Sequence, residues 1–284
     1  MKKILVTGAN GQLGSQLRKL SKSYPQIDFF FTDVLELDIT SEVQVAKILE
    51  DFKPNWLINC AAYTAVDKSE SDAESAKLIN TVAPALLARL CESAHCRMIH
   101  ISTDYVFDGH AYQPYTEDSV KNPQSVYGHT KSDGEDLVLA NNPRSIIIRT
   151  SWLYSAYGSN FMKTVLRLAT EKGNMRIVSD QIGTPTWAGD LASAVLVMIE
   201  KELLPGIYHF SNEGVCSWYD FAKAIIEITG INSKVDPIPT AEYPLPAPRP
   251  FYSVLDKALY KSTTGQQIPY WRDSLKQCLK ELNE

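Results

Sequence analysis

Ile4-Leu5-Val6-Thr7-Gly8-Ala9-Asn10-Gly11-Gln12-Leu13-Gly14 is the stretch that decides the fold. A short apolar run stops at a glycine turn, and helix-compatible residues follow. This predicts a buried strand, a tight turn and the start of a helix. Glycines at 8, 11 and 14 suit a tight turn, close approach of backbone to a pyrophosphate, and close packing of helix on sheet. The helix N-terminus then offers unpaired N–H groups and the positive end of its dipole to phosphates. An ordinary strand-to-helix turn shares some of these residues. The position directly after the first buried strand favours a dinucleotide. Gly8, Asn10, Gly11, Gln12, Leu13 and Gly14 are the expected contacts.

The pattern continues outward. Ile27 to Thr32 predicts a second strand ending at Asp33, where an acid accepts hydrogen bonds from a ribose and favours NAD over NADP. In Leu37-Asp38-Ile39, Asp38 either accepts from the adenine amine beside Ile39 or, like Thr40, caps the helix beginning near Ser41. Glu42 to Phe52 is an amphipathic helix stopped by Pro54. Trp56 to Ala62 predicts a third strand, and small residues at its end let a cofactor lie over the sheet edge at Ala61, Ala62 and Tyr63. A long helix is expected from about Ser69 to Cys91. Within it, Asn80 either bonds water or backbone at the site or is exposed. Met98 to Ile101 predicts a fourth strand, ending in Ser102-Thr103-Asp104-Tyr105.

A polar loop leads to Tyr127-Gly128-His129-Thr130-Lys131. Tyrosine and lysine four apart share a helix face. A free tyrosine titrates near pH 10 (about), too high to move a proton at neutrality. A nearby ammonium favours the phenolate and lowers that value, so the pair can act as one acid–base unit. Alone, the spacing commonly marks a solvated helix face. Strand-end Thr103, then Tyr127 and Lys131, after a glycine-turn nucleotide fold, are specific together.

Ile146 to Arg149 completes an α/β pattern, a Rossmann-like doubly wound parallel sheet with right-handed crossovers. Residues 1–150 form the expected nucleotide-binding domain, rejoined by about 178–205. About 151–177 and 206–284 form a smaller C-terminal α/β substrate-binding lobe. In it, Ser159 to Thr170, Gly189 to Lys201 and a helix opened by the capping box Ser217-Trp218-Tyr219-Asp220 are expected, with a short strand at Met175 to Val178. Pro237 to Pro250, with six prolines, reads as irregular. Trp271, Leu275, Cys278, Leu279 and Leu282 mark the packed face of a last helix.

Composition sets bounds. A chain of 284 residues, 44% hydrophobic and 21% charged, suits a soluble globular protein. A net charge of −5 without a basic run argues against nucleic acid. No apolar run reaches the roughly 18 residues of a membrane span, and Met1-Lys2-Lys3 lacks a following signal-peptide core. Five scattered cysteines without paired spacing suit reduced thiols and a cytoplasmic location.

At this point the chain resembles the extended short-chain dehydrogenase/reductase family and, within it, the dTDP-4-dehydrorhamnose reductase family. The resemblance runs nearly end to end. It rests on Gly8 to Gly14, Asn59 to Asp67, Ser102 to Gly109, Tyr127 to Lys131, Arg149 to Trp152, Asp180 to Thr186, and Arg249-Pro250. It implies reduction of the C4 ketone of dTDP-4-dehydro-L-rhamnose in dTDP-rhamnose biosynthesis. Tyr127 would protonate the carbonyl oxygen, Lys131 would lower its pKa and hold the nicotinamide ribose, and Thr103 would donate to the same oxygen. Asp104, Tyr105 and Trp152 would meet the sugar, and Arg249 the diphosphate. The family implies NADP(H) first, with NAD(H) the alternative that Asp33 favours. Some members hold a dimer-bridging Mg2+ through carboxylates. Gln16 and Asp190 stand at those positions, which argues against a metal here; a monomer or homodimer is expected. Two rivals remain. A nucleotide-sugar dehydratase or epimerase shares the fold, but a dehydratase carries glutamate where Tyr105 stands. A non-catalytic regulatory subunit, as among relatives bound to methionine adenosyltransferase, would not need the full proton relay.

Overall fold

The computed structural model describes residues 1–283. Strands β1 (Lys2–Thr7), β2 (Ile27–Phe31), β3 (Trp56–Asn59), β4 (Arg97–Thr103) and β5 (Ile146–Thr150) form one parallel sheet with a sixth strand, Gly206–His209. The order is Gly206–His209, β5, β4, β3, β1, β2, with every pairing parallel. All carboxyl ends therefore meet at one edge, where open α/β sheets bind ligands. Buried strands covered on both faces read as continuous apolar runs, as in Ile4-Leu5-Val6 and Ile146-Ile147-Ile148, each 0% exposed. Helix α1 (Gln12–Ser21) and the Ala188–Glu200 helix cover one face through Leu13, Leu17, Leu191, Val195 and Ile199. Helices α2 (Glu42–Phe52) and Ala83–Ser93 cover the other through Val45, Leu49, Leu87 and Cys91.

A second core lies in the C-terminal part. Helices Phe161–Lys172, Trp218–Thr229 and Trp271–Leu282 pack through Met162, Val165, Phe221, Ile225, Trp271, Leu275 and Cys278. The expected stripe of the last helix is thus its packed face. The capping box at Ser217 and Asp220 also forms as expected.

Four expectations are corrected. Residues 206–209 belong to the nucleotide-binding sheet, not to the substrate lobe, because Gly206–His209 adds to the free edge of β5. Pro237 lies inside a strand, Lys234–Ile238, paired only with Asn174–Val178; an edge position needs no donor on its free side. Neither Asp38 nor Thr40 caps α2. Ser41 does, accepting from the Gln44 N–H, while Asp38 accepts from the N–H and hydroxyl of Thr40.

The fourth concerns the long helix expected from Ser69 to Cys91. It is Val66–Ser69, Ala73–Lys77, a π-turn at Leu78–Val82, and Ala83–Ser93. Pro84 has no N–H to give the Asn80 carbonyl, and Ala83 N–H bonds instead to Leu78 O, one residue further back. The bulge turns the fully buried Asn80 inward. Its side chain accepts from Tyr63 N–H at 2.9 Å and donates to Tyr63 O at 3.1 Å. The Asn80 carbonyl presses on the Val126–Asn141 helix at Gly134, where an added Cβ would overlap it.

A glycine-to-alanine change inside a helix ordinarily gains about 1 kcal/mol. Gly134→Ala is expected to lose about 1–3 kcal/mol by overpacking, seen as a lower urea midpoint at unchanged slope. A stabilised variant would refute this contact.

Candidate active site

The sheet edge opens on a cavity of about 630 Å³ lined by Gly8, Gly11, Gln12, Leu13, Ala62, Thr103, Asp104, Tyr105, Tyr127, Lys131, Trp152 and Trp218, among others. Its floor is the glycine turn. Gly8 has φ +65°, and a Cβ there would lie 2.6 Å from Ala61 N, so no other residue fits. Gly14 is a packing residue: a Cβ would lie 2.5 Å from Ala9 Cα and Gly8 O. Gly11 is the N-cap of α1 and brings no side-chain acceptor, which leaves the first-turn N–H groups to a phosphate.

A neighbouring cavity of about 420 Å³ shares Gly8, Gly11 and Ala62 and adds Asn10, Asp33, Asp38, Ile39 and Ala61. The expected adenosine-end residues therefore converge. The Asp33 carboxylate accepts from Asn10 N–H at 2.8 Å and Val34 N–H at 2.9 Å. Arg18, which sequence reasoning missed, donates to Oδ1 of Asn10 at 3.4 Å, the residue whose N–H that acid accepts from. Tyr63 is not among the residues lining these two cavities. Its backbone is clamped by Asn80 and its hydroxyl donates to Asp72 at 3.1 Å, so it shapes the loop.

The acid–base groups sit at the centre. Thr103 Oγ1 donates to Asp104 Oδ1 at 2.9 Å and accepts from Tyr105 N–H. Burial pushes the Tyr127 phenol up to about 12; a hydrogen bond with Thr103 pulls it back and the Asp104 charge adds to the rise. Burial brings Lys131 down to about 8, against the pull of Glu135. The expectation that Lys131 lowers the Tyr127 pKa is not met in this state, for a geometric reason. Lys131 Nζ turns back to β4, donating to Ile101 O at 2.6 Å and meeting His100 Nε2 at 3.2 Å.

Tyr105 and Trp218 also line a third cavity, of about 560 Å³, with Arg249, Gln181, Arg176, Met175 and Leu245. Arg249 donates to Asp67 Oδ2 at 2.7 Å and to Ala247 O at 3.1 Å. Tyr105 stands edge-on to Tyr127, ring centroids 5.4 Å apart. Trp152 holds a left-handed φ of +47° and stacks on Trp218 at 3.6 Å. Strain of this kind at a non-glycine residue persists where surroundings fix it. Trp218 was read only as part of a capping box. That box places it first in its helix, facing the cavity. The two doubtful metal positions have protein partners: Gln16 donates to Glu281, and Asp190 accepts from Asn212 and Ser274.

Burial raises the Asp104 carboxyl to about 7, and its Oδ2 has no protein partner. Unfolded, it titrates near 3.9 (about). Between these values the folded state holds the extra proton, so the contribution to stability is full below about pH 4 and is lost as pH rises to about 7. Asp104→Asn is therefore expected to gain denaturant resistance relative to the parent as pH rises across that window. Parallel curves would contradict the buried carboxyl.

The family model described as RmlD substrate binding domain matches residues 1–284. The chain is 42% identical to the dTDP-4-dehydrorhamnose reductase of Aggregatibacter actinomycetemcomitans, covering 97% of this chain and 98% of that protein. It superposes on the dTDP-4-dehydrorhamnose reductase of Clostridium acetobutylicum with a TM-score of 0.96 at 46% identity, covering 99% and 100% of the two chains. The Bacillus anthracis enzyme of that name, in complex with NADP, gives 0.95 at 37% identity with the same coverage. With its glycine turn, its Thr103-Tyr127-Lys131 set lining one cavity and end-to-end matches, the chain belongs to the dTDP-4-dehydrorhamnose reductase family.

Proposed function

We propose that the protein is an NAD(P)H-dependent oxidoreductase that reduces the C4 ketone of dTDP-4-dehydro-L-rhamnose to dTDP-L-rhamnose. The observation that carries this is the convergence of Thr103, Tyr127 and Lys131 on one cavity floored by the glycine turn. The dinucleotide fits that floor: Gly8, Gly11, Gln12 and Leu13 would hold its phosphates, and Asn10, Asp33, Asp38, Ile39, Ala61 and Ala62 its adenosine. When bound, it supplies the hydride. NADP(H) is the first expectation, supported by Arg18 and by the NADP complex of the Bacillus anthracis relative. NAD(H) is the alternative, because Asp33 places an acid where a 2′-phosphate would come.

Tyr127 delivers a proton from its hydroxyl to the carbonyl oxygen as that oxygen gains charge. A phenol raised by burial to about 12 is protonated at neutral pH, the form a donor needs. Thr103 donates to the same oxygen from the strand end, stabilising charge in a site shielded from water. That requires its hydroxyl to turn from Asp104. Lys131 turns toward the nicotinamide ribose and stabilises the tyrosinate left after transfer. Asp104, Tyr105 and Trp152 border the sugar. The third cavity, joined at Tyr105 and Trp218, takes the nucleotide, and Arg249 turns from Asp67 to pair with the diphosphate. The five free cysteines suit a cytoplasmic enzyme.

Loss of NADPH absorbance is expected with dTDP-4-dehydrorhamnose and not without it. No turnover under conditions where the cofactor binds would sink the assignment. Tyr127→Phe is expected to bind cofactor nearly as well and to lose on the order of 10²–10⁴-fold in rate. Retention of most of the rate would exclude the tyrosine as donor.

A further inference from the structure

Lys131 is held in this structure by a chain of buried polar groups that the reduction does not use directly. Thr7, Asn59, His100 and Lys131 are 1%, 1%, 0% and 2% exposed. Asn59 Oδ1 accepts from Thr7 Oγ1 at 2.7 Å and from Ala61 N–H at 3.2 Å. Its Nδ2 lies 3.0 Å from His100 Nδ1, and His100 Nε2 lies 3.2 Å from Lys131 Nζ.

The donors decide the protons. A backbone N–H can only donate, so Ala61 fixes the oxygen of Asn59 on its side and the amide nitrogen on the His100 side. That nitrogen can only donate as well, so His100 Nδ1 accepts. The ring then carries its proton on Nε2, and Nε2–H points at Lys131. An ammonium has no lone pair to receive it. A neutral amine has one, and can still donate to Ile101 O. The structure thus assigns a dock selective for an uncharged amine: we propose that His100, oriented by Asn59, is a positioning residue that holds Lys131 only as the uncharged amine. On taking a proton from solvent, Lys131 faces an N–H it cannot accept and leaves the dock for the cavity.

Other charges agree with this. Burial keeps His100 neutral. The titratable groups on the same cavity are Cys60, Asp104, Tyr105 and Tyr127. Cys60, Tyr105 and Tyr127 are pushed up by burial and stay uncharged near neutrality. Asp104, raised to about 7, is the one carboxyl among them. Glu135, one turn along the helix, is held by Ser102 and Arg149, which shares its charge. Burial brings Lys131 to about 8, consistent with an amine accessible at mild pH.

The dock stands without the reduction proposed above; its consequence for cofactor binding rests on that proposal. The test is an NMR titration of the free protein labelled with 15N-histidine and 13Cε-lysine, with signals assigned by His100→Gln and Lys131→Arg. The expected result is a His100 ring that stays in the Nε2–H form and a Lys131 midpoint near 8, well below the ordinary lysine value of about 10.4. An Nδ1–H ring, an imidazolium, or a Lys131 that remains ammonium up to the ordinary range would overturn the dock.

Two variants extend the test. In Asn59→Asp the carboxylate cannot donate, so the ring is expected to reverse to Nδ1–H, and Lys131 to rise to the ordinary range. An unreversed ring overturns the proposal. His100→Gln offers an amide oxygen to Asn59 and an N–H to Lys131, and is expected to keep the low midpoint; a rise overturns it. Calorimetry of NADPH binding at a pH just above 8, in two buffers of different protonation enthalpy, is expected to show proton uptake by the parent and none by Asn59→Asp. Failure of NADPH to bind would count against the reductase assignment and leave the NMR result standing.

Discussion

One carboxamide ties three neighbouring strands together beneath the site. Asn59, last in β3, accepts from Thr7 at the end of β1, accepts from Ala61 in its own following loop, and meets His100 of β4. Left unpaired, these buried groups would each carry a desolvation cost of about 1–3 kcal/mol. Bonded together, they hold Gly8 against Ala61 and place β4 so that Thr103 emerges into the cavity. The phosphate floor and the acid–base centre thus share one buried support.

The same constraint shapes the opposite wall. Pro84 opens the Leu78–Val82 turn, Asn80 swings in to clamp Tyr63, and Gly134 lets the Tyr127 helix come close. Thr81 donates to Thr130 O at 2.7 Å between Tyr127 and Lys131, which fixes the register of that helix. Tyr105 stands at the wall shared by two cavities, edge-on to Tyr127.

Much of this was legible in the sequence, for physical reasons. Strands buried on both faces write continuous apolar runs, and a glycine turn after the first of them has few other uses. The Thr103, Tyr127 and Lys131 positions followed from strand end and helix spacing. The direction of Lys131 did not, because a four-carbon stem can reach several partners from one Cα, and only the neighbours choose. His100 was hidden for a similar reason: alternation along a strand does not tell which polar residue is enclosed. Gly206–His209 escaped because it is short and ends in His209, a polar residue made burial-compatible by Tyr115 O. Trp218 reaches the cavity, and Arg18 reaches Asn10, from helix positions whose sequence signals speak of capping and of exposed charge.

The proposed ketone reduction is a single step in which hydride and proton reach C4 and its oxygen together. Deuterium placed at the transferable position of NADPH follows the hydride directly. NMR of the product from dTDP-4-dehydrorhamnose should show a single deuterium at C4 of the sugar. Deuterium at another sugar carbon, or product formed without deuterium, would contradict the account.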